Sequence, residues 1–163
     1  MSMAPILQRS GFSLIELVVT VAIVAVLASA VVPLAEVSMQ RSKEQELRLA
    51  LRQIRTALDA YRQAVDEGRV ARDLLQSGYP PTLHVLVDGV PDATSPDGKS
   101  RIYFLRRIPR DPLFTDPTQP DEETWGKRSY ESSEDAPEAG DDVFDVYSLA
   151  PGTGLNGIPY SRW

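Results

Sequence analysis

The sequence predicts an α+β chain: a long N-terminal helix, half membrane-spanning and half amphipathic, packed on a small antiparallel β-sheet. Three observations predict it. An apolar run from Phe12 to Val32 is interrupted only by Ser13, Glu16, Thr20 and Ser29. Behind it, Leu47, Leu51, Ile54, Leu58, Tyr61 and Val65 are spaced 4, 3, 4, 3 and 4, which places them on one face of a helix. Eleven of the thirteen prolines fall after Tyr79, so the remainder is turn-rich and built from short elements.

The apolar run comes first. A secretory signal has an apolar core of about 7–15 residues followed by a small-residue cleavage site. Here "LASA" (Leu27–Ala30) imitates such a site, but the run is longer and reads as a span of about 20 residues. Glu16 is the one ionisable residue between Gly11 and Ala35. A carboxylate at the centre of a spanning helix costs about 2.5–3.5 kcal/mol. Either Glu16 snorkels to the headgroups at the membrane edge, or a partner charge compensates it.

Pro33 closes the run. Within a helix it removes a hydrogen bond and clashes one turn back, so a kink is expected there, with the helix continuing beyond. No Gly or Pro occurs between Leu34 and Glu67, and Gly68 supplies a stop. One helix from about Phe12 to about Asp66 follows, roughly 80 Å long at 1.5 Å per residue. Glu44 and Arg48 form an i,i+4 pair in the favoured order. The apolar seam is too short for a sustained coiled coil, which needs at least about 3–4 heptads, so it packs on the chain's own C-terminal part. Arg41, Lys43, Arg52, Arg55, Asp59 and Arg62 form the opposite face, which stays polar.

In the C-terminal part, "SGYPPTLHVLVDGV" (Ser77–Val90) reads as a loop entering a short helix. "WGKRSYES" (Trp125–Ser132) and "VFDVYSL" (Val143–Leu149) alternate as strands. The acidic link "EDAPEAGDD" between them is too polar to be core. A small antiparallel sheet on the helix gives the α+β class.

Composition excludes several functions. The net charge of −6 argues against nucleic acid as a partner, because phosphate binding needs clustered Lys and Arg. With no cysteine there is neither a disulfide nor a Cys-based zinc site. His84 is the single histidine and reads as a helix-face residue rather than a base. Asp111 and Asp116 bracket a proline-rich loop and pose as paired acids, but Asp beside Pro is ordinary turn chemistry. No Ser-His-Asp spacing, phosphate loop or metal cluster emerges, so no catalytic residue and no enzyme is expected.

The stretch Gly11-Phe12-Ser13-Leu14-Ile15-Glu16, followed by the span, resembles the type IV pilin-like family. Within it the chain is most similar to the major pseudopilins of type II secretion. "YFLRRIPRDPLF" is similar to that group's "YLKKLPKDPWGNPY", and "FDVYSL" to its "FDIYSL". The resemblance implies a pilin-like fold and four segments: a leader over 1–11, a filament-core span over 12–34, its amphipathic continuation over 35–66 and a periplasmic globular domain over 67–163. It implies cleavage between Gly11 and Phe12 by a prepilin peptidase, N-methylation of Phe12, and pairing of Glu16 with a Phe12 amine to set axial register. The implied role is a repeating subunit of a periplasmic pseudopilus that drives export of folded proteins. The alternatives are a minor pseudopilin, a type IV pilin for motility, adhesion or DNA uptake, or, from another class, a membrane-anchored periplasmic binding module. Implied partners are further copies of the chain, minor pseudopilins, the peptidase, the inner-membrane assembly platform and the membrane itself. The implied location is the bacterial inner membrane, single-pass, with a periplasmic C-terminal domain. The resemblance also implies a calcium-binding loop after "FDVYSL". Here that loop reads "APGTGLNG" and lacks the expected aspartate. Asp141, Asp142 and Asp145 are the nearest acids, so no metal site and no cofactor is expected.

Overall fold

The computed structural model describes Gly11, residues 13–72 and residues 76–163, apart from the side chains of Ala30 and Val32. The chain divides into two compact units, Met1–Gln40 and Arg41–Trp163. One α-helix, α1 (Leu14–Asp66), contributes to both and remains helical through Pro33.

In the first unit the helix is apolar on every side. Leu14, Ile15, Val18, Val24, Leu27 and Leu34 are all more than half exposed. A helix that is hydrophobic all round belongs inside a large core or a bilayer. α1 is long and apolar enough to cross a membrane, with a mean hydropathy of 2.7 over its most apolar window. The hydroxyls of Thr20 and Ser29 donate to the carbonyls of Leu17 and Val26 at 2.9 and 2.7 Å. These two hydroxyls are thereby satisfied by their own helix, as a hydrocarbon surrounding requires.

In the second unit the predicted seam is the core. Leu47, Leu51, Ile54 and Leu58 are at most 3% exposed, and Tyr61 and Val65 join them. They pack with Leu83, Leu86, Leu105, Trp125 and Val146 in one cluster. Full burial of each such Leu or Ile stabilises the fold by about 1.5–3 kcal/mol. Burial also raises the Tyr61 phenol above its ordinary pKa, while its ring meets Phe104 edge-on at 5.3 Å. The helix ends at Gly68, whose φ of +71° is left-handed. There the N–H groups of Gly68 and Arg69 return to the Val65 and Ala64 carbonyls, a glycine-terminated C-cap.

The C-terminal elements are short. α2 (His84–Asp88) buries Leu86. β1 (Val90–Pro91) pairs antiparallel with β2 (Arg101–Ile102). A 3₁₀ turn over Asp121–Thr124 leads into β3 (Trp125–Arg128), which pairs antiparallel with β4 (Asp145–Ser148) in the register Trp125↔Ser148 to Arg128↔Asp145. A last 3₁₀ turn covers Tyr160–Arg162. The expected single sheet is thus two separate two-stranded ribbons. Between β2 and β3 lie Pro109, Pro112, Pro117 and Pro120, which lack the N–H donors a continuous ladder would need. In the β3–β4 ribbon, Gly126 lies opposite Tyr147. A Cβ there would stand 2.3 Å from the Tyr147 ring, so the glycine lets the ring lie across the strand.

Candidate functional site: the N-terminal motif and the C-terminal loop

The N-terminal motif leads directly into α1. Gly11 and Ser13 are exposed, and the N–H of Leu17 donates to the Ser13 carbonyl at 3.1 Å, closing the first helical turn. Glu16 lies in that turn and is exposed. An acid at a helix N-terminus faces the positive end of the helix dipole. Phe12, read as the new N-terminus and the methylation site, lies outside the described residues. Glu16 and residue 12 are four apart, hence on the same face wherever the helix extends to both.

The C-terminal loop is closed from the helix. Glu44 is 4% exposed. Its Oε1 accepts the Leu155 N–H at 2.8 Å and the Tyr160 hydroxyl at 3.1 Å. The loop folds back on itself, with the Gly154 N–H on the Ile158 carbonyl at 2.9 Å and the Tyr160 and Trp163 rings edge-to-face at 5.2 Å. Arg48 caps the loop, its guanidinium 4.4 Å from the Trp163 ring centroid, a cation–π contact. Glu44, expected to pair with Arg48, serves the loop. It stands three residues before Leu47, in step with the buried seam, and that spacing was the available signal.

The polar face also differs from expectation. Arg55 is half-buried: it donates to Asp145 Oδ1 at 2.8 Å, to the Val146 carbonyl at 3.1 Å and to the Trp163 carbonyl at 2.7 Å. Arg62 bonds Asp66 and the Ser77 carbonyl and lies 5.7 Å from the Tyr79 ring centroid. Two of the six residues of the expected polar face thus clasp the C-terminal part. Helical periodicity alone does not separate an exposed flank from one reached by a returning chain.

Two of the three acids near the loop are engaged elsewhere. Asp145 bridges Arg55 and Arg128. Asp142 Oδ1 accepts the Tyr130 N–H at 2.8 Å. Among the described residues no group of three or more His, Asp or Glu side chains is placed to hold a metal ion. Calcium takes six to eight oxygens, drawn from carboxylates, carbonyls and water.

Asp111 and Asp116 each accept a backbone N–H two residues on, from Leu113 at 2.8 Å and from Thr118 at 2.9 Å, the turn chemistry expected of them. Asp111 is 1% exposed and also accepts the Ser148 hydroxyl at 2.5 Å, tying the proline-rich loop to the end of β4. His84 is exposed on α2, with Nε2 2.9 Å from Glu122; that carboxylate also holds Lys127 at 2.7 Å. Both acids and the histidine thus have structural roles.

No curated protein and no solved structure matches the chain. Residues 7–32 match the prokaryotic N-terminal methylation motif. This segment contains Gly11, Phe12 and Glu16 together with the whole apolar run from Phe12 to Val32. The match places the methylation motif at the head of a helix long and apolar enough to cross a membrane.

Proposed function

We propose that the chain is the repeating subunit of a type II secretion pseudopilus. A prepilin peptidase cuts it between Gly11 and Phe12 and methylates the Phe12 amine. The span holds it in the bacterial inner membrane with residues 67–163 in the periplasm, and an assembly platform extracts it into a filament with minor pseudopilins. The observation that carries this reading is the methylation motif over residues 7–32 with its acid at Glu16. In an apolar helix a lone carboxylate needs a countercharge, and a newly made α-amine four residues away, on the same or the neighbouring subunit, supplies one. Pro33 permits the local bend that filament packing uses. The pseudopilin assignment is supported by "YFLRRIPRDPLF" and "FDVYSL" (Phe144–Leu149), which resemble that group. We further infer that the C-terminal loop is held by Glu44, Arg48 and Arg55 in place of calcium.

Intact mass after co-expression with a prepilin peptidase tests processing. Loss of residues 1–11 with one added methyl is expected. An unprocessed chain, or one cut after Ala30, refutes it. Export of a secreted protein, restored by this gene in a strain lacking its major pseudopilin, separates the secretion role from that of a motility pilin or a binding module.

A further inference from the structure

Two patches of opposite charge occupy different places on the Arg41–Trp163 unit. The first is a groove of about 680 Å³ between the flank of α1 and Phe104–Arg106. It runs on into a hollow of about 430 Å³ beside Arg107–Arg110, with Leu49 and Gln53 common to both. Leu49 is 60% exposed there. Arg52, Arg106 and Arg107 are exposed along it. Among the described residues Arg106 and Arg107 form no ion pair. Arg110, by contrast, is engaged with Asp121 and the Gln119 and Asp116 carbonyls.

The second patch is the connection between β3 and β4. Glu131–Asp142 carries six acids and no base. Glu131, Glu134, Asp135, Glu138 and Asp141 are exposed, and among the described residues none of the five forms an ion pair. The connection is nevertheless built. The Ser129 N–H donates to the Glu138 carbonyl at 2.9 Å, the Glu138 N–H to Ser132 Oγ at 3.3 Å, and the Tyr130 N–H to Asp142. Its carboxylates therefore project from a folded turn. Such a turn needs less ordering on docking than a free segment does.

Glu134 and Asp135 line a different groove of their own copy, beside Arg128 and Tyr147. They do not line the Leu49 groove, so the two patches are available to meet between copies. The geometry points to a second copy of this chain as the occupant of that groove. The acidic turn Glu131–Asp142 of one subunit seats against Arg52, Arg106 and Arg107 of the next, with Leu49 beneath. Such a contact is heterologous and propagates as a helical array. Each exposed ion pair is weak, but chains confined side by side in a membrane or filament meet at high effective concentration. The pairing also sets the order of subunits, since like-charged faces repel. The inference rests on the filament reading and adds to it the surface that joins the globular domains.

The test uses the full-length chain, processed in membranes. Three variants are compared: Arg106→Glu with Arg107→Glu, Glu134→Lys with Asp135→Lys, and all four together. Each charge reversal alone is expected to lower sheared-filament yield by about tenfold, and the fourfold variant to restore it. The chain has no cysteine, so Gln53→Cys and Ala136→Cys on co-expressed chains report the contact by an intermolecular disulfide, independently of filaments. Wild-type yield from every variant overturns the inference and leaves the filament reading standing. Loss on arginine reversal alone, without rescue, also overturns it and assigns the groove to another partner, such as anionic lipid headgroups. If the wild type makes no filaments, the filament reading fails. The disulfide then decides: its formation supports docking between copies, and its absence overturns it.

Discussion

Replacing Glu44 by Ala tests how the C-terminal loop is held. The substitution removes one acceptor from two donors, the Leu155 N–H at 2.8 Å and the Tyr160 hydroxyl at 3.1 Å. A hydrogen bond to a charged group contributes about 1.5–3 kcal/mol. The two losses are unequal. Leu155 is 45% exposed, so water replaces much of its bond, whereas Tyr160 is 5% exposed and loses a charged acceptor inside the core. Allowing for that, the variant is destabilised by about 2–4 kcal/mol. A domain of this size loses about 4 °C of Tm per kcal/mol, so Tm falls by about 8–16 °C. Glu44→Gln keeps a neutral acceptor and should lose about half as much. The measurement is a thermal melt, followed by circular dichroism, of residues 35–163, which include the whole Arg41–Trp163 unit. A Glu44→Ala melt within about 3 °C of wild type would mean that Glu44 does not close the loop.

Three further outcomes are expected. Glu16→Ala should leave membrane insertion intact, because removing the acid lowers the insertion cost, yet abolish efficient assembly; wild-type amounts of sheared filaments would refute the register role. Melts of residues 35–163 with chelator and with millimolar calcium should nearly coincide, since a site short of carboxylates binds at about 10⁻⁴–10⁻³ M at best; a rise of about 10 °C or more would restore calcium to the loop. The Asp92 carboxyl should titrate below its ordinary value, because the Thr94 hydroxyl and N–H donate to it and Arg69 lies beside it. A depressed carboxylate stabilises the fold above its unfolded pKa, and that contribution fades as pH falls through the folded value. Carboxyl NMR titration should show the midpoint move up in Thr94→Val, and an unchanged midpoint would refute the assignment.

Much of the second unit's core was legible because it is periodic. The seam from Leu47 to Val65 faces inward as its 3- and 4-residue spacing requires, and Gly68 terminates the helix because its φ is left-handed. The strands around Trp125 and Val146 were legible from their alternation, although each is only four residues long. The β1–β2 ribbon was not: two residues per strand carry no period, and Pro91 reads as a breaker. Arg55 and Arg62 were misplaced because their partners, Asp145 and the Ser77 carbonyl, are supplied by chain returning from 90 and 15 residues away.

The sequence by itself determined the features that depend on neighbouring residues. These are the methylation motif over residues 7–32, the apolar run within it, the helix through Pro33 and the α+β class. Each is a linear pattern, set by the chemistry of a few adjacent side chains or by a fixed rise and turn. Only the tertiary structure decided what holds the C-terminal loop and which charges remain unpaired. Glu44 lies 111 residues before Leu155, and no local rule relates their positions. The free energy of burying a carboxylate depends on whether a donor arrives from elsewhere in the chain. Glu44 meets its donors, and among the described residues Arg106 and Arg107 form no ion pair, because of where the returning segments pack.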